Sequence, residues 1–423
     1  MRILWLCNLM MPFIAQELGR ESSQKEGWLT GTMNRIRQEE NSNITLGVCF
    51  PVASIQEEVT GMVDQIAYYG FYENINEPEK YEEGLEERLG TIVERFQPDV
   101  IHMFGTEYAH GYAMVKAVKE KEKIAVSIQG LCAIYAEVYY ANLPHKVQKR
   151  ITFRDVIKKD TLIVQQRKFY KRGKREQEIL REVTHVLGRT QADYEYSKGV
   201  NTSSQYHNLC ETVREEFYKN TWNLEECERY TVLVTQADYP LKGFHLLVEA
   251  LAELKKEFPH IQVHVTGNCI TNYRTFRDKI KIGAYGNYIR QLVASYQLES
   301  TITYEGMVDA SRMCQLMKES HVLVNCSSME NSPNSVGEAM LLGLPVVASR
   351  VGGVPSMIED EVEGLLYDAY DTKKLADQIS RIFGNDELAT SLSQSARERA
   401  HKTHDPENNY KTLVSIYEEI AKG

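Results

Sequence analysis

The feature that most constrains the fold of this chain is the alternation of short apolar, β-rich runs with amphipathic helical patterns in both halves. In the first half the predicted strands are Arg2–Leu6, Ile44–Cys49, Val100–Met103, Ile124–Ile128 and His185–Leu187. In the second half they are Thr231–Val234, Gln262–Thr266, Thr301–Tyr304, Val322–Asn325 and Val346–Ala348. Strands that are joined by helical crossovers form parallel sheets. The sequence therefore predicts an α/β protein with two doubly wound domains that face each other.

A polar, charged stretch marks the predicted boundary between these domains. We expect an N-terminal domain over residues 1–205, a linker over 206–226 and a second domain over 227–405. The last segment, residues 406–423, has apolar residues at helical spacing but lies beyond the last predicted strand. We expect this terminal helix to pack back on the N-terminal domain.

Composition and charge exclude several classes of protein. The chain has 423 residues and a formal net charge of −10, which argues against a general nucleic-acid binder. No apolar run reaches the roughly 18 residues that a membrane-spanning helix needs. The apolar start, Met1–Phe13, is interrupted by Asn8 and lacks a small-x-small cleavage site, so it predicts a buried strand rather than a signal peptide. Eight scattered cysteines without C-x-x-C spacing favour a cytoplasmic location, and peripheral attachment to the inner face of a membrane stays open.

One segment departs from the acidic average. Residues 146–181 contain 13 Lys and Arg but only four Asp and Glu, with apolar and aromatic residues between them. An amphipathic helical surface of this composition can bind anionic lipid or an anionic, lipid-linked acceptor. A solvated helix face and nucleic-acid binding are the alternatives that the sequence leaves open.

The segment with the most chemical information is Ser327–Met357, where a strand ends in a polar loop and a helix follows near Ser335. Pro333 prevents the helix from extending backwards, and Asn334 or Ser335 is expected to cap it. The backbone N–H groups of Asn334–Gly337, aided by the helix dipole, predict a site for an anion such as a diphosphate.

Two carboxylates flank this helix start. Glu330 lies on the loop, and Glu338 is expected in the first turn. A carboxylate can accept two hydrogen bonds from the vicinal diol of a ribose or hexose. In an acidic chain two glutamates eight residues apart carry little weight alone, so the interpretation depends on the surrounding pattern.

That pattern resembles the Glu-x7-Glu signature of the family 4 (group 1) retaining glycosyltransferases. The matching positions are Glu330, Glu338-Ala339-Met340, Gly343, Pro345–Ser349 and Gly352-Gly353. The resemblance implies the GT-B fold, in which two Rossmann-like, doubly wound domains face a central cleft. It also implies that Glu338 holds the ribose hydroxyls and that Glu330 is a catalytic residue that contacts the transferred sugar or its phosphate. Neighbouring donor-binding positions would be Asn331, Pro333, Asn334 and Ser335.

A second element of the family matches at Tyr239–Gly243, where the resemblance makes Lys242 a ligand of the donor diphosphate and a catalytic residue. A lysine at the start of a helix is unfavourable unless an anion binds there. The arginine that usually lies five or six residues earlier is absent, because those positions are Gln236 and Ala237, and Gln236 is expected to bind the donor there instead. The remaining candidates for that role are Arg189, Arg214 and Arg350.

The N-terminal half resembles the family more weakly. Gln129 occupies the position of a histidine that contacts the sugar in relatives, so a catalytic role there would be uncharged. Gly27, in Gly27-Trp28 after the polar loop Gln16–Lys25, would approach the donor phosphates. Glu107 and His110 follow a predicted strand and are candidates for acceptor contact, since loops at the carboxyl ends of parallel strands build ligand sites.

The resemblance implies a metal-independent transfer with retention of a hexose or N-acetylhexosamine from a nucleotide-diphosphate sugar, such as a UDP-sugar, with no other cofactor. The expected acceptor is a glycan or lipid-linked glycan of bacterial polysaccharide or cell-envelope synthesis. The sequence contains neither an Asp-x-Asp motif nor a His/Cys cluster with the spacing of metal ligands, so it does not predict a metal site. Two alternatives stay open: a non-catalytic GT-B protein that binds glycan or a partner transferase, and a nucleotide-sugar epimerase.

Overall fold

The computed structural model describes residues 1–20, 27–39, 43–54, 59–273 and 275–423, which divide into two compact units. Unit 1 comprises Met1–Ile134, Lys168–Val213 and His404–Gly423. Unit 2 comprises Tyr135–Arg167 and Arg214–Thr403. The units differ from the predicted boundaries chiefly because Tyr135–Arg167, expected within the domain over 1–205, packs with the second unit.

The described residues form fourteen strands. In chain order these are β1 (Arg2–Leu6), β2 (Thr45–Val52), β3 (Thr60–Val63), β4 (Ile66–Tyr72), β5 (Val100–Phe104), β6 (Ile124–Ser127), β7 (His185–Gly188), β8 (Gln205–Asn208), β9 (Thr231–Val234), β10 (Gln262–Thr266), β11 (Ile302–Gly306), β12 (Val322–Asn325), β13 (Val346–Ser349) and β14 (Leu365–Tyr367).

The α-helices of the described residues follow the same alternation. They are α1 (Pro12–Glu17), α2 (Gly27–Arg37), α3 (Leu85–Phe96), α4 (Ala109–Ala117), α5 (Cys132–Val138), α6 (His145–Gln148), α7 (Phe153–Lys158), α8 (Leu162–Glu182), α9 (Gln191–Val200), α10 (Glu216–Lys219), α11 (Phe244–Glu257), α12 (Phe276–Lys281), α13 (Ala284–Ser295), α14 (Ala310–Glu319), α15 (Asn334–Leu342), α16 (Val354–Met357), α17 (Thr372–Gly384), α18 (Asp386–Thr403) and α19 (Pro406–Lys422). None of these described helices is long and apolar enough to cross a bilayer.

The sheet of unit 1 has the order β3-β4-β2-β1-β5-β6-β7-β8, and every pairing in it is parallel except that of β3 with β4. This antiparallel hairpin was not predicted, because Asp64 and Gln65, both with positive φ, form its turn without the usual Asn-Gly or Asp-Gly signal. Strand β8, which begins just before the predicted linker over 206–226 and pairs with β7, was not predicted either. This strand is short and mostly polar, so its pattern carries little strand signal.

The terminal helix α19 packs on the sheet of unit 1 through a buried hydrogen-bond chain. Trp5 Nε1 donates to the hydroxyl of Tyr417 at 2.9 Å, and that hydroxyl lies 2.6 Å from His102 Nδ1. Burial lowers the pKa of His102 to about 3, so the ring is neutral and its Nδ1 can accept the Tyr417 proton. His102 Nε2 is then the donor to Ser127 Oγ at 2.7 Å. One tyrosine thus joins α19 to β1, β5 and β6.

The basic segment over 146–181 is not one amphipathic helix. It spans α6, α7 and most of α8, and its two parts belong to different units. In α8 several cations bind backbone carbonyls of unit 1: Arg172 Nε donates to Glu107 O at 2.8 Å, and Arg175 donates to Pro78 O at 3.0 Å. These two side chains therefore stabilise the fold of unit 1.

Helix α8 also carries a fully buried acid, Glu176. Its carboxylate accepts hydrogen bonds from the backbone N–H groups of Cys132 and Ala133, at 2.8 and 3.2 Å, and from the hydroxyls of Thr106 and Tyr196, at 3.1 and 2.6 Å. Burial raises the pKa of Glu176 to about 7, because these four donors only partly compensate the loss of water. Glu176 thereby fixes the start of α5 in unit 1.

The sheet of unit 2 has the order β11-β10-β9-β12-β13-β14, and all its pairings are parallel. Chain order reverses between β9 and β12, the two central strands. In open α/β sheets a crevice forms at such a reversal, outside the carboxyl ends of the strands, because the flanking connections leave in opposite directions. The topology therefore places a ligand site after β9 and β12.

We predict that Tyr417→Phe destabilises the protein by about 2 to 3 kcal/mol, because the Trp5 donor and the His102 acceptor lose their buried partner. Denaturant unfolding measures the change. Tyr296→Phe, at an exposed tyrosine on another helix end, is the matched control and should be neutral. Equal stability of the two variants would contradict the importance of the hydrogen-bond chain.

A second prediction concerns pH. The folded pKa of Glu176 lies above its ordinary value of 4.5, so the folded state binds the extra proton and loses stability as the pH rises from about 4.5 to about 7. Glu176→Gln should remove this dependence, which amounts to about 3 kcal/mol over that window. Unfolding curves of both proteins at pH 5 and pH 7.5 test it. Parallel pH profiles would show that Glu176 titrates near its ordinary value.

Candidate functional site

A cavity of about 330 Å³ lies in unit 2 at the reversal between β9 and β12. Its walls come from the loops after these strands and from the start of α15. The lining residues are Arg214, Val234, Thr235, Gln236, Lys242, Met313, Val324, Asn325, Cys326, Ser327, Glu330, Pro333, Asn334, Ser335 and Glu338. Eight residues that the sequence singled out therefore meet here: Arg214, Gln236, Lys242, Glu330, Pro333, Asn334, Ser335 and Glu338.

The first charged pair of the cavity is Lys242 with Glu330. Lys242 Nζ donates to Glu330 Oε1 at 2.7 Å, and both side chains are largely buried. Burial alone would lower the pKa of Lys242, but the adjacent Glu330 carboxylate outweighs it and raises that pKa above its ordinary value. The cavity consequently holds a lysine that stays protonated.

The position of Lys242 depends on a close approach of two backbones. Gly243 has φ +67°, and a Cβ there would lie 1.9 Å from the carbonyl oxygen of Cys326 at the end of β12. Only glycine fits both constraints. We call residues Tyr239–Gly243 the lysine turn. Ser328 N donates to Leu241 O at 2.8 Å, and this hydrogen bond joins the lysine turn to the loop after β12.

The loop that carries Glu330 is held from two sides. Ser327 Oγ donates to Glu330 Oε1 at 2.6 Å, and the backbone oxygen of Glu330 accepts from Gly353 N at 3.0 Å. Gly352 has φ +51°, and a Cβ there would lie 2.0 Å from that same oxygen. The glycine pair of the motif thus allows the loop after β13 to support Glu330.

The second charged pair is Arg214 with Glu338. Arg214 binds the carboxylate with two parallel hydrogen bonds, from Nε to Oε1 at 2.7 Å and from a terminal nitrogen to Oε2 at 2.8 Å. Burial raises the pKa of Glu338, and the Arg214 charge counteracts this. A bidentate pair also fixes the plane of the carboxylate. Glu338 therefore presents its remaining lone pairs in a defined orientation.

Helix α15 begins at the cavity, one residue earlier than predicted. Pro333 is its N-cap residue with φ −69°, and no side chain of the described residues caps the helix, so the expected cap by Asn334 or Ser335 is wrong. Proline is well suited to this N-cap position, because the fixed φ of its ring matches the φ observed there and proline has no backbone N–H that needs a partner. Glu338 consequently lies in the second turn rather than the first. Of the predicted anion donors, Val336 N and Gly337 N donate to Pro333 O at 3.0 and 3.3 Å, whereas Asn334 and Ser335 line the cavity with Lys242 and Glu330.

Of the three arginines proposed for the missing phosphate cation, only Arg214 lines this cavity among its described residues. Arg350 pairs with Asp360 at 2.5 Å. Arg189 lies in unit 1 and pairs with Glu211. Gln236, at the position where the arginine was expected, lies at the cavity wall.

Several other predicted residues lie elsewhere. Asn331 is buried and is not among the lining residues. Gln129, Glu107 and His110 belong to unit 1, as does Gly27, the first residue of α2. The polar loop Gln16–Lys25 extends into residues 21–26, which lie outside the described residues.

Within unit 1, Gln129 Nε2 donates to Glu211 Oε1 at 2.9 Å, so Gln129 belongs to a polar network. His110 is buried, with Nδ1 2.5 Å from Glu73 Oε2 and Nε2 2.9 Å from Asn8 Oδ1. Burial raises the pKa of Glu107, and its Oε2 has no hydrogen-bond partner among the described residues. Asn8 and Glu107 follow β1 and β5, where chain order reverses in the sheet of unit 1.

Three polar groups of the cavity were not predicted from the sequence: Thr235, Asn325 and Ser327. Each lies at or just after the carboxyl end of a buried strand, and this is the signal that could have identified them. Arg214 was named only as one of three candidates, because its pairing spans 124 residues of sequence.

Comparisons with known proteins agree with this geometry. A sequence model of the family "Glycosyl transferases group 1" matches residues 215–399. The putative colanic acid biosynthesis glycosyltransferase WcaL of Escherichia coli K12 is 25% identical over 187 residues, which cover 42% of this chain and 42% of WcaL. The matched segment thus spans less than half of that curated relative.

Two solved structures cover nearly the whole chain. Sucrose-phosphate synthase from Thermosynechococcus elongatus has a TM-score of 0.70 at 18% identity, with 99% of this chain and 98% of the other covered. Anabaena HepE in complex with UDP-glucose has a TM-score of 0.68 at 15% identity, with 99% and 100% covered. These likenesses confirm the predicted GT-B fold class.

The matched residues 215–399 include the lysine turn, both glutamates, the start of α15 and the glycine pair, and the cavity that they form begins at Arg214. Residues 215–399 therefore match the group 1 glycosyl transferases, and this matched part of the chain forms most of the cavity.

Proposed function

We propose that this protein is a retaining, metal-independent glycosyltransferase that moves a hexose or an N-acetylhexosamine from a nucleotide-diphosphate sugar to a glycan or lipid-linked glycan. The observation that carries the proposal is the meeting of two cation–carboxylate pairs with an uncapped helix start in one cavity. Lys242 and Glu330 form one pair, and Arg214 and Glu338 form the other.

The charges of the cavity suit a diphosphate. Lys242 is protonated, and the start of α15 adds backbone donors and the positive end of its dipole. In the free protein Glu330 neutralises Lys242. A bound diphosphate would take over part of that role, while Glu330 would turn its free lone pairs to sugar hydroxyls. The buried Lys242 charge would then exchange one negatively charged partner, Glu330, in part for another, the diphosphate, and would not be left without a partner.

The other carboxylate suits a ribose. Arg214 occupies one lone pair on each oxygen of Glu338, which leaves acceptors for two vicinal hydroxyls. Arg214 thereby acts as a positioning residue for Glu338. UDP-glucose, which is bound in the HepE complex, is a donor of the expected class.

The proposed chemistry follows from this placement. The bond between the anomeric carbon and the diphosphate oxygen breaks, and Lys242 and the α15 start stabilise the charge that develops on the diphosphate. The acceptor hydroxyl attacks the same face and gives its proton to the departing phosphate, so retention requires no base at Gln129. The buried carboxylate oxygen Oε2 of Glu107, which has no hydrogen-bond partner among the described residues, is proposed to contact the acceptor, and His110, whose two ring nitrogens face Glu73 and Asn8, to shape that contact.

The setting is proposed by similarity and chemistry together. WcaL, a putative colanic acid biosynthesis glycosyltransferase, supports a role in bacterial polysaccharide or cell-envelope synthesis. We place the protein in the cytoplasm, where nucleotide sugars are made, with access to acceptors at the inner face of the membrane.

Incubation with a panel of UDP-, GDP- and ADP-sugars, with release of the nucleoside diphosphate as the readout, tests the activity. The anomeric configuration of the product, determined by NMR, tests retention. Binding without release would favour a non-catalytic glycan-binding protein, and interconversion of the sugar without an acceptor would favour an epimerase. Inversion of configuration would contradict the proposed mechanism.

Glu338→Gln should weaken binding of the nucleoside diphosphate at least about tenfold, because a carboxamide offers one acceptor oxygen instead of two. Calorimetric titration measures the affinity. The matched control is Glu363→Gln, which changes another buried glutamate that is paired with an arginine, Arg399, outside the cavity. Unchanged affinity in Glu338→Gln would remove Glu338 from the ribose site.

Lys242→Met should lower kcat by about 100-fold or more, since it removes a charge that stabilises the departing diphosphate. Lys242→Arg keeps the charge and should retain more activity, which separates the electrostatic role from a loss of fold. Lys256→Met, on the exposed surface of α11, should leave kcat unchanged. Equal kcat values for Lys242→Met and the native protein would exclude a catalytic role for this lysine.

A further inference from the structure

Helix α7 has its polar and apolar faces reversed relative to an ordinary surface helix. Phe153, Val156 and Ile157 are 60%, 63% and 61% exposed, whereas Asp155 is 2% exposed. The three apolar residues follow i, i+3, i+4 spacing, so they share one face of the helix. Ile151, just before the helix, is 63% exposed and lies next to them in sequence. We call these four residues the α7 face.

The inward position of Asp155 explains why the apolar face points outward. Asp155 and Thr152 form a capping box at the start of α7. Asp155 Oδ2 also accepts a hydrogen bond from Ala284 N, the first residue of α13, at 3.2 Å. One carboxylate thus serves the starts of two helices within unit 2. Turning the apolar residues inward would bury them at the cost of both caps, which are worth about 1 kcal/mol each.

The surroundings of the α7 face are cationic. Residues 146–159 contain six Lys and Arg and one acid, and Lys146, Lys149, Lys158 and Lys159 are exposed. Helix α12 packs against α7 and adds another exposed aromatic residue, Phe276 at 77%, together with exposed Arg277, Lys279 and Lys281. The acid of α12, Asp278, takes part in the capping box of its own helix.

We propose that the α7 face docks on an anionic lipid surface. The apolar side chains would enter the headgroup region, and the surrounding cations would meet the lipid phosphates, each contributing attraction within a Debye length of the surface. A second copy of the chain fits this face poorly, because the exposed lysines and arginines around the α7 face of one copy would repel those of the other. The α8 part of the basic segment contributes less, since Arg172 and Arg175 are engaged inside unit 1.

This inference goes beyond the proposed transferase reaction and does not require it. Flotation of the full-length protein with vesicles tests it, using 70% phosphatidylcholine with 30% phosphatidylglycerol against pure phosphatidylcholine. We expect the native protein to float with the anionic vesicles and at least about tenfold less with the neutral ones at low salt. Flotation should also fall as the salt concentration rises.

Two variants separate the apolar and the charged parts. The first double variant, Phe153→Ser with Ile157→Ser, removes apolar side chains and keeps the charge. The second, Lys158→Gln with Lys159→Gln, removes charge and keeps the apolar side chains. Each should reduce binding to anionic vesicles about tenfold or more. Met62→Ser is the matched control, because Met62 is 68% exposed on β3 in unit 1 and should bind as the native protein does. Circular dichroism and binding of a nucleoside diphosphate verify that each variant is folded.

Three results would overturn the proposal. Native protein that does not float with anionic vesicles would exclude lipid as the occupant. Double variants that float as well as the Met62→Ser control would place lipid contact elsewhere on the chain. A native dimer in light scattering that becomes monomeric in Phe153→Ser with Ile157→Ser, with no flotation of either, would identify the α7 face as a contact between copies.

Discussion

The compensation of buried charge is the constraint on which the candidate site depends. Lys242, Glu330, Arg214 and Glu338 sit in a cavity where each charge would be costly alone, and each is paired within 2.8 Å. The pairs join segments that are distant in sequence: the turn after β9, the loop after β12, helix α15 and the chain just before α10. The ion pairs therefore also define the shape of the cavity.

Backbone contacts make these pairs possible. Gly243 lets the lysine turn touch the end of β12, and Gly352 lets the loop after β13 support the Glu330 backbone. A Cβ at either glycine would meet a carbonyl oxygen within 2.0 Å, so these contacts would have to open. The glycines of the motif thus act on the geometry of the carboxylates, while the side chains provide the chemistry. This explains why charged residues and glycines occur together in the sequence pattern.

Buried polar groups organise unit 1 in a similar way. Tyr417 brings the last helix onto β1, β5 and β6, and Glu176 holds the start of α5. His110 is enclosed by Glu73 and Asn8, which favours a role in shaping its surroundings. In each case one side chain satisfies partners from elements far apart in the chain. Substituting any of them leaves several buried groups unpaired at once.

The alternation of strands and helices and most of the candidate site can be predicted from the sequence alone. The reason is local: a strand end, a polar loop and a helix start within a few residues bring Glu330, Pro333 and Asn334 to one sheet edge, and Lys242 follows the adjacent strand. Strands whose hydrophobic pattern is weak, such as β3 and β8, could not be predicted in this way.

Three other outcomes depend on tertiary contacts: the choice of Arg214 among three arginines, the division of the basic segment between two units, and the outward orientation of the apolar face of α7. Each of these outcomes rests on a contact across more than 60 residues of sequence, such as Arg214 with Glu338, Arg172 with Glu107 and Asp155 with Ala284. Local propensity carries no information about which distant group will satisfy a buried charge.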